Sequence, residues 1–345
     1  MSHRGAGSAT GVQGRQGRAA DRPPRPTRPV LLMNPRSGGG KATKFQLGDR
    51  CRDLGIEPVV LDPGDDLVAL AEDAVARGSD LLGMAGGDGS QALVATVAAR
   101  HGIPYVVVPA GTSTPFARDL GVGTGVVGSL AAFVEGVDVR VDLAEVNGRV
   151  FVNNASMGAY AQLVRSPRYR ESKVRTAVEL LPELVGASAA PLDLRFTLPG
   201  GGLATTAQVL LVSNNPYDLS GAPRGAGRPR LDDGLLGIAS LRVVSGAEAQ
   251  QLAALTAAGL SELFPGWDEW TTTSLEVASD QPVALGIDGE AVTLDAPLHF
   301  VTRQGALVVR VARDRVQSKP TLLSSGKRPL PFTALSRLIS GRGLT

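Results

Sequence analysis

Over the first third of the chain, short wholly apolar runs alternate with longer segments whose apolar residues recur at helical spacing. Residues 30–33, 58–61, 81–85 and 105–108 read as buried strands. Between them the pattern predicts a helix running to about Leu54, a second over 65–77 with Leu67, Leu70, Ala71 and Ala74 on one face, and a third over 91–100. Strand-to-helix units in succession imply a parallel sheet covered on both faces, with the strand-to-helix loops gathered along one edge.

After about Asp138 the period changes. Residues 139–146 and 149–154 read as strands around the turn Asn147-Gly148, a strong two-residue hairpin signal. Ser166-Pro167 starts a helix to about Leu181, and a further helix lies near 246–263. Residues 192–198, 207–212, 235–244, 271–277, 283–287, 299–301 and 306–311 read as mostly short strands between Gly and Pro. The expected fold class is therefore α/β plus β. It comprises a doubly wound parallel-sheet domain over 30–138 and a mainly antiparallel β-sandwich domain over 139–315, packed closely about a cleft. Residues 1–29 lack periodicity and are expected to be a disordered basic tail. Residues 316–345 form a second basic tail in which Phe332, Leu335, Leu338 and Ile339 share one helical face, suited either to a membrane interface or to docking on the body.

Composition narrows the classes. With 345 residues and 43% hydrophobic content the chain can bury two ordinary cores. No apolar run reaches the eighteen or so residues of a membrane span and the N-terminus has no apolar secretory segment, so a cytoplasmic location is expected. The lone Cys51 cannot form an internal disulfide and reads as a buried inert thiol, while His3, His101 and His299 lack ligand spacing. Residues 1–29 hold six Arg against Asp21, and 316–345 hold Lys319, Lys327, Arg328, Arg337 and Arg342 with no acid, so the body between is net acidic. Such tails suit lipid headgroups or nucleic acid, or serve only solubility.

The candidate chemistry lies in the loops. Gly86-Gly87-Asp88-Gly89-Ser90 follows a strand and opens a helix; its glycines let backbone amides approach an anion, the helix offers its positive end, and Asp88 can hold a hydroxyl or a cation. A tight turn with a solvated Asp is the alternative. Asn34-Pro35-Arg36-Ser37-Gly38-Gly39-Gly40-Lys41 is a second glycine-rich turn, but Pro35 and Ala42 break the G-x-x-x-x-G-K-[ST] pattern and argue against a P-loop NTPase. The stretch 123–128 spells G-x-G-x-x-G but follows a helix and is discounted as a dinucleotide site. A third loop starts at Pro109-Ala110-Gly111-Thr112.

With these loops in view, the chain resembles the diacylglycerol kinase catalytic-domain family, which includes sphingosine and ceramide kinases and bacterial lipid kinases. The resemblance rests on Asn34-Pro35-Arg36-Ser37-Gly38, Gly86-Gly87-Asp88-Gly89-Ser90, Gly111-Thr112 with Phe116-Ala117-Arg118, Leu231-Asp232-Asp233-Gly234-Leu235-Leu236 and Ile287-Asp288-Gly289-Glu290. These five segments stand in family order over about residues 30–311. It implies an ATP-dependent phosphoryl transfer to a hydroxyl of a diacylglycerol-like or sphingoid lipid, with ATP and Mg²⁺ as cofactors. It also implies a lipid partner, peripheral contact with an anionic inner-membrane surface and no nucleic acid, a homodimer being one arrangement left open.

Carried over position by position, the resemblance implies nucleotide contacts from Asn34, Pro35, Arg36, Ser37, Gly38, Gly86, Gly87, Asp88, Gly89, Ser90 and Thr112. It implies a structural Mg²⁺ near Asp233, the backbone of Leu235 and the carbonyl of Arg230, with Glu290 as general base and Asp88 orienting the metal-nucleotide. Read without it, Asp233 and Glu290 are ordinary turn carboxylates. Thr114 and Pro115 stand where the family carries Asn and Asp, Ala92 and Leu93 where it carries Asn and Glu. Asp119, four residues after Pro115, is the nearest replacement acid. An NAD-kinase-like activity on a soluble substrate and a lipid- or nucleotide-binding pseudokinase are the alternatives.

Overall fold

The computed structural model describes residues 23–112, 114–122, 125–158, 192–217, 227–258 and 263–313. Strand β1 (Pro29–Met33) leads through a 3₁₀ turn (Ser37–Gly39) to helices α1 (Lys41–Lys44) and α2 (Leu47–Asp53). Then come β2 (Glu57–Val60), α3 (Leu67–Ala76), β3 (Leu81–Gly86), α4 (Asp88–His101), β4 (Tyr105–Pro109), α5 (Pro115–Asp119) and α6 (Ala131–Val134). Strands β1 to β4 lie parallel in the order β2-β1-β3-β4. Side chains alternate across the sheet: Val30, Leu32, Leu82 and Met84 pack with α3 and α4, whereas Leu31, Met33, Leu81 and Ala85 pack with Ala42, Leu47 and Cys51 on the other face.

The single helix expected up to Leu54 is broken at Gln46, whose φ is 51°. Ala42 and Leu47 are five residues apart, so one straight helix would not turn both to the core with Cys51; the break does. Cys51 is fully buried, and burial pushes its thiol up to about 11, as suits an inert residue.

The rest of the described chain supplies β5 (Gly136–Val146), β6 (Arg149–Phe151), β7 (Asn154–Gly158), β8 (Phe196–Thr197), β9 (Leu203–Ala204), β10 (Val209–Asn214) and β11 (Leu236–Leu241). Helix α7 (Gly246–Ala258) follows, then β12 (Trp267–Thr272), β13 (Ser274–Val277), β14 (Val283–Ile287), β15 (Glu290–Leu294) and β16 (Leu298–Ala312). A six-stranded antiparallel sheet runs β12-β11-β10-β7-β14-β15. Its inner face (Met157, Leu210, Val212, Ile238, Leu285) shares a core with Val146, Phe151, Leu298 and Phe300 of the first sheet.

Three further readings differ from the structure. Residues 299–301 and 306–311 belong to one strand, β16, which runs parallel to β4 and antiparallel to β5 and so completes the first sheet from the far end of the chain. Its register shifts between Arg303 and Leu307, and the polar Arg303-Gln304-Gly305 is an irregularity within the ladder where the pattern suggested a turn. Residues 271–277 divide at Thr273 between β12 and β13, in different sheets. Residues 149–154 divide as well: the chain leaves the first sheet after Phe151 and enters the second at Asn154. Asn147 and Gly148 take φ of 46° and 82°, the left-handed pair of a two-residue hairpin.

The expected helix over 166–181 and both tails lie outside the described residues. No helix among the described residues is long and apolar enough to cross a membrane.

Candidate active site

Because β1, β3 and β4 run parallel and in register, the loops that leave them emerge side by side. Asn34 N donates to Ala85 O (3.0 Å), Gly111 N to Gly86 O (3.0 Å) and Lys41 Nζ to Gly111 O (2.9 Å), which ties all three loops together. Within the first loop Asn34 Oδ1 accepts from Arg36 N (3.0 Å), a local turn that shapes Pro35-Arg36. Ser37 and Gly38 sit in the 3₁₀ turn, and Thr112 is exposed beside Gly111.

Two glycines are required by this packing. Gly38 has φ 56° and a Cβ there would stand 2.1 Å from Ala110 O; a Cβ on Gly111 would stand 2.6 Å from Gly87 Cα. Both obstacles are backbone, so relief means parting the loops. Gly38→Ala is expected to lower stability by about 1–3 kcal/mol, read as the denaturant midpoint at unchanged slope. A midpoint equal to the parent's would show that the loops do not meet as described.

The glycine-acid loop opens α4. Gly87 precedes the helix in extended conformation with no side-chain cap, leaving the amides of the first turn without intrahelical acceptors. Amides left open in this way at the start of a fourteen-residue helix are able to receive an anion. It is braced from behind by Gln91, fully buried, whose Nε2 donates to Met84 O (2.9 Å), Val108 O (3.1 Å) and Gly86 O (3.3 Å), while Tyr105 Oη donates to Gln91 Oε1. The sequence signal for this brace was a lone amide on an otherwise apolar helix face.

Asp88 is buried, at 7% exposure. Its Oδ2 accepts from Asn153 Nδ2 (2.7 Å) and, at 3.5 Å, Phe116 N; its Oδ1 is buried with no partner. Burial first, and Asp288 second, push the Asp88 carboxyl up to about 7. Asp288 accepts from the amides of Val152 (2.9 Å), Asn153 (2.8 Å) and Asn154 (3.2 Å), fastening the crossing from one sheet to the other. Although the residue as a whole is only partly buried, its carboxylate is enclosed, and that burial pushes it up to about 6 against the three amides.

Asp288 and Gly289 have φ of 48° and 85° and turn β14 into β15 as a two-residue hairpin, with Ile287 paired to Glu290. The turn reading of this motif holds. The hairpin carries Glu290 across to the first domain's loop: a Cβ built on Gly89 would lie 2.3 Å from Glu290 Oε1. Glu290 remains about half exposed, with Arg149 Nη2 3.6 Å from its Oε2. The structure thus brings together residues 34–41, 86–90, 111–112, Asp88 and Glu290.

The replacement acid is engaged elsewhere. The Asp119 side chain is buried, its Oδ2 accepting from Arg228 Nε (2.8 Å) and its Oδ1 from Arg118 Nε (3.1 Å). Thr114 and Pro115 start α5, and what this helix turns toward Asp88 is the Phe116 amide. Arg228, which the sequence reading did not single out, is buried against Asp119, Asn153 and Tyr217, its guanidinium 5.6 Å from the Tyr217 ring centroid.

The two metal positions differ in fit. Asp88 Oδ1, orphaned and buried in the cleft, suits a cation that travels with a polyphosphate. At the expected site of Asp233, Leu235 and Arg230 the polar groups are already engaged with one another and with Asn215. Arg230 Nε lies 2.6 Å from Asp233 Oδ1 and 3.1 Å from Asp232 Oδ1, and Leu235 O already accepts from Asn215 N (3.1 Å). The arginine supplies positive charge where a divalent ion would. Among the described residues no group of three or more His, Cys, Asp or Glu is arranged to hold a metal. Adding EDTA to the nucleotide-free protein is therefore expected to leave its melting midpoint unchanged; a fall of several degrees would restore a structural metal.

Residues 28–146 match the family model described as the diacylglycerol kinase catalytic domain. A protein named diacylglycerol kinase from Staphylococcus aureus (strain JH9) is 26% identical over 237 residues, covering 65% of this chain and 72% of that protein, and the one from strain Newman matches equally. A crystal structure of a diacylglycerol kinase from Bacillus anthracis str. Sterne superimposes with TM-score 0.63 at 18% identity, covering 84% of this chain and 99% of that one. A second structure from the same organism gives TM-score 0.64 at 20% identity over the same shares. The likeness to these structures is one of fold.

Proposed function

We propose that this chain, whose residues 28–146 match the diacylglycerol kinase catalytic domain, is an ATP-dependent kinase of a diacylglycerol-like or sphingoid lipid. The observation that carries this reading is the approach of Glu290, from the second sheet, onto Gly89 at the N-terminus of α4. Phosphoryl transfer asks a protein mainly for positioning and charge neutralisation, with one carboxylate to receive the acceptor's proton.

In this reading the first-turn amides of α4 and the loops at Asn34 to Gly38 and Gly111-Thr112 receive the nucleotide's phosphates, and Lys41 adds a positive charge between those loops. Mg²⁺ bound with the nucleotide would neutralise phosphate charge, and Asp88 Oδ1 would hold it. Glu290, open to an incoming hydroxyl, accepts its proton as the hydroxyl oxygen bonds to the γ-phosphorus and the bond to the β,γ-bridging oxygen breaks. The bond's electron pair leaves with ADP.

Incubation with labelled ATP, Mg²⁺ and a panel of diacylglycerols, sphingoid bases and NAD tests this. Labelled lipid is the expected product; labelled NAD phosphate would favour a soluble-substrate kinase, and no labelled product would reject the kinase. One observation favours a second reading, a nucleotide- or lipid-binding protein without turnover. Thr114 and Pro115 supply no carboxylate, and Asp119 is already paired with Arg228. Calorimetric binding of Mg²⁺-ADP without any phosphorylated product would select it.

A further inference from the structure

Arg228 uses its donors on both lobes. Nε donates to Asp119 Oδ2 of α5 (2.8 Å), Nη1 to Asn214 O of β10 (2.8 Å) and to Val152 O (2.5 Å) at the crossing between sheets, and Nη2 to Asn153 Oδ1 (2.8 Å). The side chain is fully enclosed, and its charge is balanced by the equally buried Asp119. A buried guanidinium with a fixed fork imposes direction on whatever accepts from it.

The acceptor that matters is Asn153. A carboxamide has one oxygen and one nitrogen, so once Oδ1 accepts from Arg228 the amino group must point the other way, and there Nδ2 donates to Asp88 Oδ2 (2.7 Å). The Asn153 backbone is separately pinned, its amide donating to Asp288 Oδ1 (2.8 Å). Asp88 therefore has one oxygen held by a residue of the crossing segment, and the other is left buried and unpartnered in the cleft.

We infer that Arg228 is a positioning residue: it orients the Asn153 carboxamide, and through it fixes which oxygen of Asp88 faces the ligand. In this chain it also recruits Asp119, so the acid expected to replace the third loop's carboxylate serves as the counter-ion of the device that aims Asp88. The inference rests on the kinase reading for its effect on rate, though not for its effect on geometry.

Three variants test it: Arg228→Lys, which keeps the buried charge but not the fork, Asn153→Ala, and the double variant. The turnover number per folded molecule is measured below the melting midpoint with ATP and the best lipid acceptor. Each single variant is expected to lose about 10–100-fold in kcat, as outer partners of a reactive group do, with KM for ATP changing less than threefold. In the Asn153→Ala background Arg228→Lys is expected to add less than threefold, because the two act through one link. Multiplying losses, or an Asn153→Ala variant with the parent's kcat, would overturn the inference, and so would a lower melting midpoint at unchanged kcat per folded molecule. A crystal structure of Arg228→Lys separates this inference from the kinase reading. Asn153 Nδ2 is expected beyond hydrogen-bond distance of Asp88 Oδ2, and an intact bond near the parent's 2.7 Å would overturn the inference even if no lipid is phosphorylated.

Discussion

Glu290→Gln is expected to lower kcat about 10²- to 10⁴-fold, the contribution of a well-placed general base, with little change in melting midpoint. The expectation follows from where the hairpin puts this side chain. Asp288 and Gly289 occupy the left-handed turn, so β15 begins at Glu290, and its carboxylate lies over Gly89, where helix α4 starts. A glutamine has the same shape and still fits beside Arg149, so packing is conserved while proton acceptance is lost. The check is steady-state turnover with saturating Mg²⁺-ATP and lipid, beside a thermal melt. An equal fall in activity and stability would mean that the residue matters for folding; full activity would remove it from the chemistry.

The second large effect is expected at Asp88, and it has two opposite signs. Asp88→Asn keeps the size and the acceptor for Asn153 Nδ2 but abolishes the charge, so kcat is expected to fall on the order of 10²- to 10³-fold, as when one electrostatic contact to a transition state is removed. Stability without nucleotide should move the other way. Unfolded, the Asp88 carboxyl titrates near its ordinary 3.8, whereas folded it is pushed up to about 7, chiefly by burial. Below about pH 4 both states hold the proton and Asp88 contributes no difference. Between about 4 and 7 the unfolded chain releases it first, so the parent loses stability as pH rises, and above 7 the full penalty stands. Asp88→Asn should therefore be more stable than the parent by about 4 kcal/mol at pH 8 and within about 1 kcal/mol of it at pH 4. Paired denaturant titrations at the two pH values measure this; an Asp88→Asn protein less stable at pH 8 would contradict the burial argument.

The same two residues show what could be read from the chain alone. The phosphate-type loop was legible because its signals are local: an apolar run, three glycines about one acid, then a helix. The convergence of the three loops was legible too, since parallel strands joined by helices leave their loops on one edge. Glu290 required the family resemblance, because an Asp-Gly turn followed by Glu has a sufficient structural explanation and in fact fulfils it. Arg228 was not legible. Its partner Asp119 lies 109 residues away, and nothing in either local sequence says that they close on each other. Likewise β16 reads as two short strands, because only the partner β5 can accommodate its polar middle as a shift in register. The fate of Asp119 was misjudged for the same reason. Helical spacing placed it near Pro115, but the choice between facing the cleft and meeting Arg228 belongs to the tertiary fold.

A structure determined after soaking crystals in Mg²⁺-ADP would show whether the three loops and Glu290 enclose one nucleotide site. The diphosphate is expected against the first-turn amides of α4, between the loops at Asn34 to Gly38 and Gly111-Thr112, with the cation on Asp88 Oδ1 and Glu290 facing the vacant γ-position. Nucleotide bound on another face of the molecule, or bound here with Glu290 turned away from the terminal phosphate, would contradict it.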